Sequence, residues 1–457
     1  GPQVSIDIVW NPEELMINNV LIQDEESRAS LTFNLKKKEF DLSFSGNLNK
    51  KTMDQLLAEN QFLAGWIKGD FRAHIPIDQP NRSTAQGKLQ GANLGFLGKL
   101  KAPVRIESVS LSATNNRLKV ESALCTWKDS RLTFEGNVDF SAKGFLLDMD
   151  LSADALAWDN VKEILAKENR EKDLEHGEKL LTLPLQGILR VRSDHFTYGN
   201  FTWNPFHADI SFSHDGISVS VTEANLCGIS TPGIMQILPQ GLLLDVKPVS
   251  RNQELDPTLA CLWDKKGLMS GNFDLGGSLR ARGKHEELAQ SLRGNVEFLA
   301  NNGRIYRFGV LAKIFALLNV TEIFMGKLPD LGKEGFAYDS MKSTGNFHDG
   351  KLTVKEGILD GPSMKIAWQG DIDLITKKMD LTVLVAPLKT ADRIIERIPW
   401  LGEILGGTLI SIPIKVTGDI NDPTVTPLSP SAVGSEIVGI MKRILRLPVK
   451  IIPYTPE

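Results

Sequence analysis

The sequence predicts a mainly β fold in which antiparallel strands share one apolar face. Three observations carry this. Apolar and polar residues alternate with period two along most of the chain, Gly, Asn and Asp punctuate the alternation, and helical patterns are few and short.

The alternation is clearest in Arg131-Leu132-Thr133-Phe134-Glu135-Gly136-Asn137-Val138-Asp139-Phe140, with its apolar residues at even positions. After Ser141-Ala142-Lys143-Gly144 the apolar positions are Phe145, Leu147, Met149 and Leu151, which predicts a hairpin with one apolar face. The device recurs at Gly294-Asn295-Val296, Gly345-Asn346-Phe347-His348-Asp349-Gly350 and Gly370-Asp371-Ile372-Asp373-Leu374. Similar units begin at Gly46, Gly187, Gly271 and Gly418. Their spacing is irregular, so this is not a fixed-period solenoid.

Helices are expected at Met53 to Trp66 and Trp158 to Lys167, the second running into the solvated charged stretch Glu168 to Lys179. Val310, Leu311, Ile314, Phe315, Leu318 and Ile323 form a helical stripe. Asp392 to Ile398 is a short helix that Pro399 ends. Pro427 and Pro430 mark a linker. The expected organisation is a repetitive β segment over 3–290, a second β segment over 291–426, and a linker with a helical tail over 427–457.

The 457 residues are long for one domain, and 42% hydrophobic with 24% charged residues is ordinary for a folded protein. A net charge of -4 and 7% aromatics leave no basic, base-stacking surface, which excludes nucleic acid as the expected partner. Three scattered cysteines, Cys125, Cys227 and Cys261, make no disulfide framework or zinc knuckle. They read as buried single thiols, with one bridge as the alternative. Gly1-Pro2 resembles the remnant of a cleaved purification tag, so the chain reads as a piece of a longer protein. No window of about 18 uncharged apolar residues is present to span a membrane.

A search for chemistry finds no constellation. The seven histidines lack metal-ligand spacing, and neither a Gly-x-Ser-x-Gly elbow nor a phosphate loop occurs. Asp194-His195 and His214-Asp215, on adjacent predicted strands, are the one place where a metal or acid/base pair is weighed against ordinary turn residues. No enzyme, cofactor or metal is expected.

The tail is more informative. On a helix from Gly434 to Leu447, an apolar arc that includes Ile437, Ile440, Met441, Ile444 and Leu445 opposes Glu436, Lys442, Arg443 and Arg446. Such polarity suits a lipid headgroup interface, with Ile437, Met441, Lys442, Arg443, Ile444, Leu445 and Arg446 as membrane-contact residues. It suits equally a helix that caps the apolar sheet.

A sheet with one apolar face must cover it with a second sheet, helices or a ligand. The helices are too few. Roughly 20 strands about 4.8 Å apart would extend on the order of 100 Å. Periodicity does not separate a closed sandwich from a curved, open trough.

Several strings in the last third carry a resemblance. These are Gly303-Arg304-Ile305-Tyr306-Arg307, Asn319-Val320-Thr321-Glu322-Ile323-Phe324-Met325-Gly326-Lys327-Leu328-Pro329-Asp330 and Leu359-Asp360-Gly361-Pro362-Ser363-Met364. Asp380 to Leu388, Pro413 to Asp419 and Pro427 to Gly434 follow in the same order. Together they resemble the C-terminal region of AsmA-like proteins of the YhdP and TamB type. The resemblance implies a long, strongly curved antiparallel sheet forming an open apolar groove, with a few short amphipathic helices. It also implies an inner-membrane anchor, a periplasmic location, and passage of phospholipids toward the outer membrane, with no catalytic residues.

The physics agrees with a groove. A buried methylene is worth about 0.8 kcal/mol, so a two-chain phospholipid leaving a bilayer forfeits more than ~20 kcal/mol unless a continuous apolar wall replaces it. The expected lining is Val354, Met364, Ile366, Trp368, Ile372 and Leu374, with Leu381, Val383 and Val385 on the next strand and Leu132, Phe134, Leu147 and Met149 in the earlier hairpin. Expected partners are phospholipids, a membrane at the C-terminal helix and the missing N-terminal anchor, and an outer-membrane or periplasmic protein. The alternative function is a structural or assembly factor for outer-membrane proteins, acting through exposed strand edges.

Overall fold

The computed structural model describes residues 1–11, 14–36, 38–57, 60, 63–95, 104–161, 185–214, 216–238, 241–284, 287–306, 309–317, 335–387 and 411–446. It is mainly β, with 70% of the described residues in strands that are mostly antiparallel. Two compact units form, Gly1–Ala224 with Gln236–Pro239 and Asn225–Met235 with Gln240–Glu457. The predicted segment 291–426 lies inside the second.

The first unit is a meander. Its strands are β1 (Gln3–Asn11), β2 (Glu14–Gln23), β3 (Arg28–Lys36), β4 (Glu39–Asn49) and β5 (Leu63–Pro76). There follow β6 (Thr84–Gly95), β7 (Val104–Asn115), β8 (Arg117–Trp127), β9 (Ser130–Ser141) and β10 (Gly144–Ala157). Then come β11 (Leu185–Tyr198), β12 (Phe201–Trp203), β13 (Phe206–Ser213) and β14 (Gly216–Leu226). Each of β1–β9 pairs antiparallel with the next, while β10 and β11 run parallel. The predicted hairpin is β9–β10, where Leu147 faces Val138 and Leu151 faces Phe134. Apolar residues therefore meet on one face.

The short β15 (Ile229–Ser230), β16 (Gly233–Leu238), β17 (Gly241–Val246) and β18 (Val249–Glu254) come next, all in the second unit except the latter half of β16, which the first unit takes. Longer strands follow: β19 (Asn272–Gly283), β20 (Arg293–Ile305), β21 (Phe336–His348) and β22 (Lys351–Asp360). Next are β23 (Met364–Asp373), β24 (Lys378–Pro387), β25 (Ile412–Asp419) and β26 (Pro423–Pro427). From β19 onward neighbours in sequence pair antiparallel. The β21–β22 turn is Asp349-Gly350, both with positive φ (49° and 76°), the two-residue geometry whose twist matches a hairpin.

Four helices matter here: α1 (Lys50–Leu56), α2 (Leu255–Trp263), α3 (Gly309–Leu317) and α4 (Ser435–Arg446). Asn49 caps α1 by accepting from the Thr52 N–H. The helix expected from Met53 to Trp66 is shorter than its pattern, because Leu63 onward belongs to β5 and Trp66 pairs with Asn49 of β4. Alternation through Trp66-Ile67-Lys68-Gly69-Asp70-Phe71 won over the helical periodicity. The helix expected at Trp158 starts there, and its part beyond 161 lies outside the described residues, as do Asp392 to Ile398. The stripe from Val310 forms α3, with Leu318 and Ile323 likewise outside.

Cys227 and Cys261 are joined in a disulfide that pins α2 to the β14–β15 turn, and only Cys125 is a free thiol. The single-thiol reading is thus corrected for two of the three. Spacing in sequence did not reveal that the turn and the helix meet.

Candidate apolar ligand face

In the second unit the register brings most of the expected lining onto one inner face. Ile366 sits opposite Val385, Trp368 opposite Val383, and Ile372 opposite Met379. Leu381 and Val383 in turn face Val416 and Ile414 of β25. The Trp368 indole lies directly over Gly357, where a Cβ would come within 2.1 Å of the ring. That glycine is the seat of the indole.

This part of the face is closed. Met364, Ile366, Val383 and Val385 are 1%, 3%, 4% and 0% exposed and belong to one core with Leu311, Ile314 and Phe315 of α3 and Leu255 of α2. Trp368, Ile372 and Leu381 pack at its edge, and Val354 is buried. Leu374 is different: it lies beyond the end of β23 in the turn before β24 and is exposed.

The first unit presents the same chemistry half open. Leu132 and Met149 are buried, whereas Phe134 and Leu147 are only partly so. Leu132 and Phe134 pack with Leu151, Ala153, Leu189 and Val191. The opposite face is charged. Arg190 holds Asp150 at 2.9 Å and Asp148 at 2.6 Å, and Arg117 holds Asp139 at 2.6 Å. One side of these strands suits hydrocarbon and the other water.

Sequence reasoning missed a second apolar cluster in this unit: Ile22, Ala29, Phe44, Leu48 and Leu63 beneath α1. Alternation at Phe40, Leu42, Phe44 and Leu48 was a signal that could have found it.

The tail helix docks on the outer face of β22–β24. Ile437, Ile440, Met441 and Ile444 pack against Ile358, Ala367, Leu384 and Ala386. Leu445 is half-buried beside them, and Lys442 and Arg443 face solvent, with Arg443 paired to Glu356. Arg446 is the last described residue of the helix. Of the candidate membrane-contact residues, the apolar ones among those with described side chains therefore touch the sheet.

The paired histidines do not meet. His214 lies beside Gln186 at the start of β11 (2.7 Å), and His195 near its end, 3.2 Å from the Asp154 carbonyl. Antiparallel pairing of β11 with β13 puts about 30 Å of strand between them. The adjacent-strand acid/base pair is corrected, since it needed them at the same end. Among the described residues no group of three His, Cys, Asp or Glu side chains converges on a point, and no helix is long and apolar enough to cross a membrane.

No curated protein and no solved structure matches the chain. A family model described as "YhdP protein" matches residues 253–425, which take in α2, α3 and the strands from β19 to β25. That stretch of the chain is similar to the YhdP-type, AsmA-like proteins.

Proposed function

We propose that the strands bind phospholipid acyl chains on their apolar face and let them pass along it passively, in transport between an inner and an outer membrane. The observation that carries this reading is the half-open face around Leu147 and Phe134, backed by a charged face. Acyl chains replace there the hydrocarbon contacts of a bilayer, while headgroups stay in water and keep their hydration. The YhdP match supports a lipid-transport setting.

No catalysis is part of this reading. The resemblance to AsmA-like proteins supports a periplasmic location with an inner-membrane anchor. The Cys227–Cys261 disulfide is in keeping with an oxidising compartment. Lys442 and Arg443, on the solvent side of α4, are the groups first offered to anionic headgroups.

Native mass spectrometry of protein purified without detergent tests the proposal. Copurified phospholipid is expected, and a lipid-free protein that takes up none from vesicles would refute it.

A further inference from the structure

We propose that the inner face of β25 and β26 is an acyl-chain site occupied at rest by α3, which acts as its gate. This rests on the lipid-face reading above.

Three observations point to a displaceable occupant. Leu311, Ile314 and Phe315, at the i, i+3, i+4 spacing of one helix face, are 8%, 2% and 5% exposed in the core that also holds Ile414 and Val416. Phe315 meets Phe336 with ring centroids 5.6 Å apart. The remaining anchor is polar and lies at the β25–β26 turn, where Lys313 Nζ donates to the Pro423 carbonyl at 2.8 Å and pairs with Asp422.

That anchor is weak, because Lys313 and Asp422 are 43% and 85% exposed and an ion pair in water adds little. The described part of the helix is nine residues long, a length that in isolation is marginal in water. Its hold is therefore the apolar contact. An acyl chain of about 16 carbons offers the same face at least as much apolar surface as one Leu, one Ile and one Phe. Chain and helix compete for one surface, and lifting α3 uncovers the β26 side of this core, Val425 included.

The test uses the whole protein with a photo-crosslinking p-benzoylphenylalanine at position 425 or, separately, at position 147. The gate is locked by Lys313→Cys with Asp422→Cys bridged by a short bis-maleimide, in a Cys125→Ser background. It is loosened by Lys313→Glu, which repels Asp422, or by Phe315→Ala. Each protein is mixed with vesicles of phosphatidylethanolamine and phosphatidylglycerol and irradiated. Position 147 should label lipid in every protein, and position 425 at least threefold more in the loosened proteins than in the locked one. Labelling at 425 that is equal in locked and loosened proteins, with 147 positive, overturns the gate. Absence of lipid at both positions overturns the lipid reading and the gate with it.

Discussion

Lys365 Nζ donates to the main-chain carbonyl of Ile444 at 2.8 Å while lying 3.0 Å from Asp360 Oδ1. A cation thus meets the carbonyl end of α4, where the helix dipole is negative, and its counter-charge comes from the neighbouring strand. Both side chains are nearly buried, 14% and 13% exposed. Docking of α4 is therefore specified by charge as well as by its apolar arc.

Lys365→Met should remove both contacts and strand Asp360 without a partner. Stability is expected to fall by about 2–3 kcal/mol, toward the lower end for breaking a largely buried pair. Amide exchange in 435–446 should rise selectively. Adding Asp360→Leu should recover part of the loss, because the uncompensated carboxylate is then gone. Exchange in α4 that does not change would show the contact to be incidental.

A Glu substitution separates packing from ligand binding. Val383 is 4% exposed within a closed core, so Val383→Glu should lower stability by about 3 kcal/mol or more through burial of a charge. It reports on folding. Leu147 is half-exposed on the open face of the first unit. Leu147→Glu should leave the melting temperature within a few degrees and reduce copurified phospholipid severalfold. Lipid content that stays at the parent level would count against the apolar face as the site.

Why the fold could be read, and α4's seat could not, follows from particular strands. Strict alternation at Leu132, Phe134, Leu147 and Met149 reports one buried face directly. In β24 the run Leu381-Thr382-Val383-Leu384-Val385-Ala386 breaks that alternation, since Leu384 and Ala386 are apolar on the second face. An unbroken apolar run means burial on both sides, and here the second cover is α4. Periodicity gives the two faces but not the partner. That partner comes from about 50 residues further along the chain. The same limit hid the meeting of Cys227 with Cys261 and the separation of His195 from His214, all set by strand order.

Two glycines give opposite expectations for one substitution. Gly370 has φ +136°, and a Cβ there would fall 2.2 Å from the Asp380 carbonyl oxygen of the next strand. Gly370→Ala should cost about 2 kcal/mol or more through strain and displacement of β24. Gly439, inside α4, has nothing within 4 Å of a built Cβ. Gly439→Ala should stabilise by about 0.5–1 kcal/mol by helix propensity. Chemical denaturation of both variants measures the contrast, and a neutral Gly370→Ala would refute the close approach.

Tyr338 makes the alkaline limit of the second unit predictable. Its hydroxyl donates to the Ser270 carbonyl at 2.7 Å, and the residue is 2% exposed. Burial disfavours the phenolate and pushes the pKa from 10.0 up to about 12. The folded state thus holds this proton more tightly than the unfolded chain does. The contribution is complete below pH ~10, the unfolded value, and is lost as pH rises through about 12. Tyr338 should give its tyrosinate absorbance late in an alkaline titration, in step with loss of the fold. Tyr338→Phe should remove that late step while costing about 1 kcal/mol at neutral pH for the lost hydrogen bond. A late step that survives in Tyr338→Phe would assign it to another group.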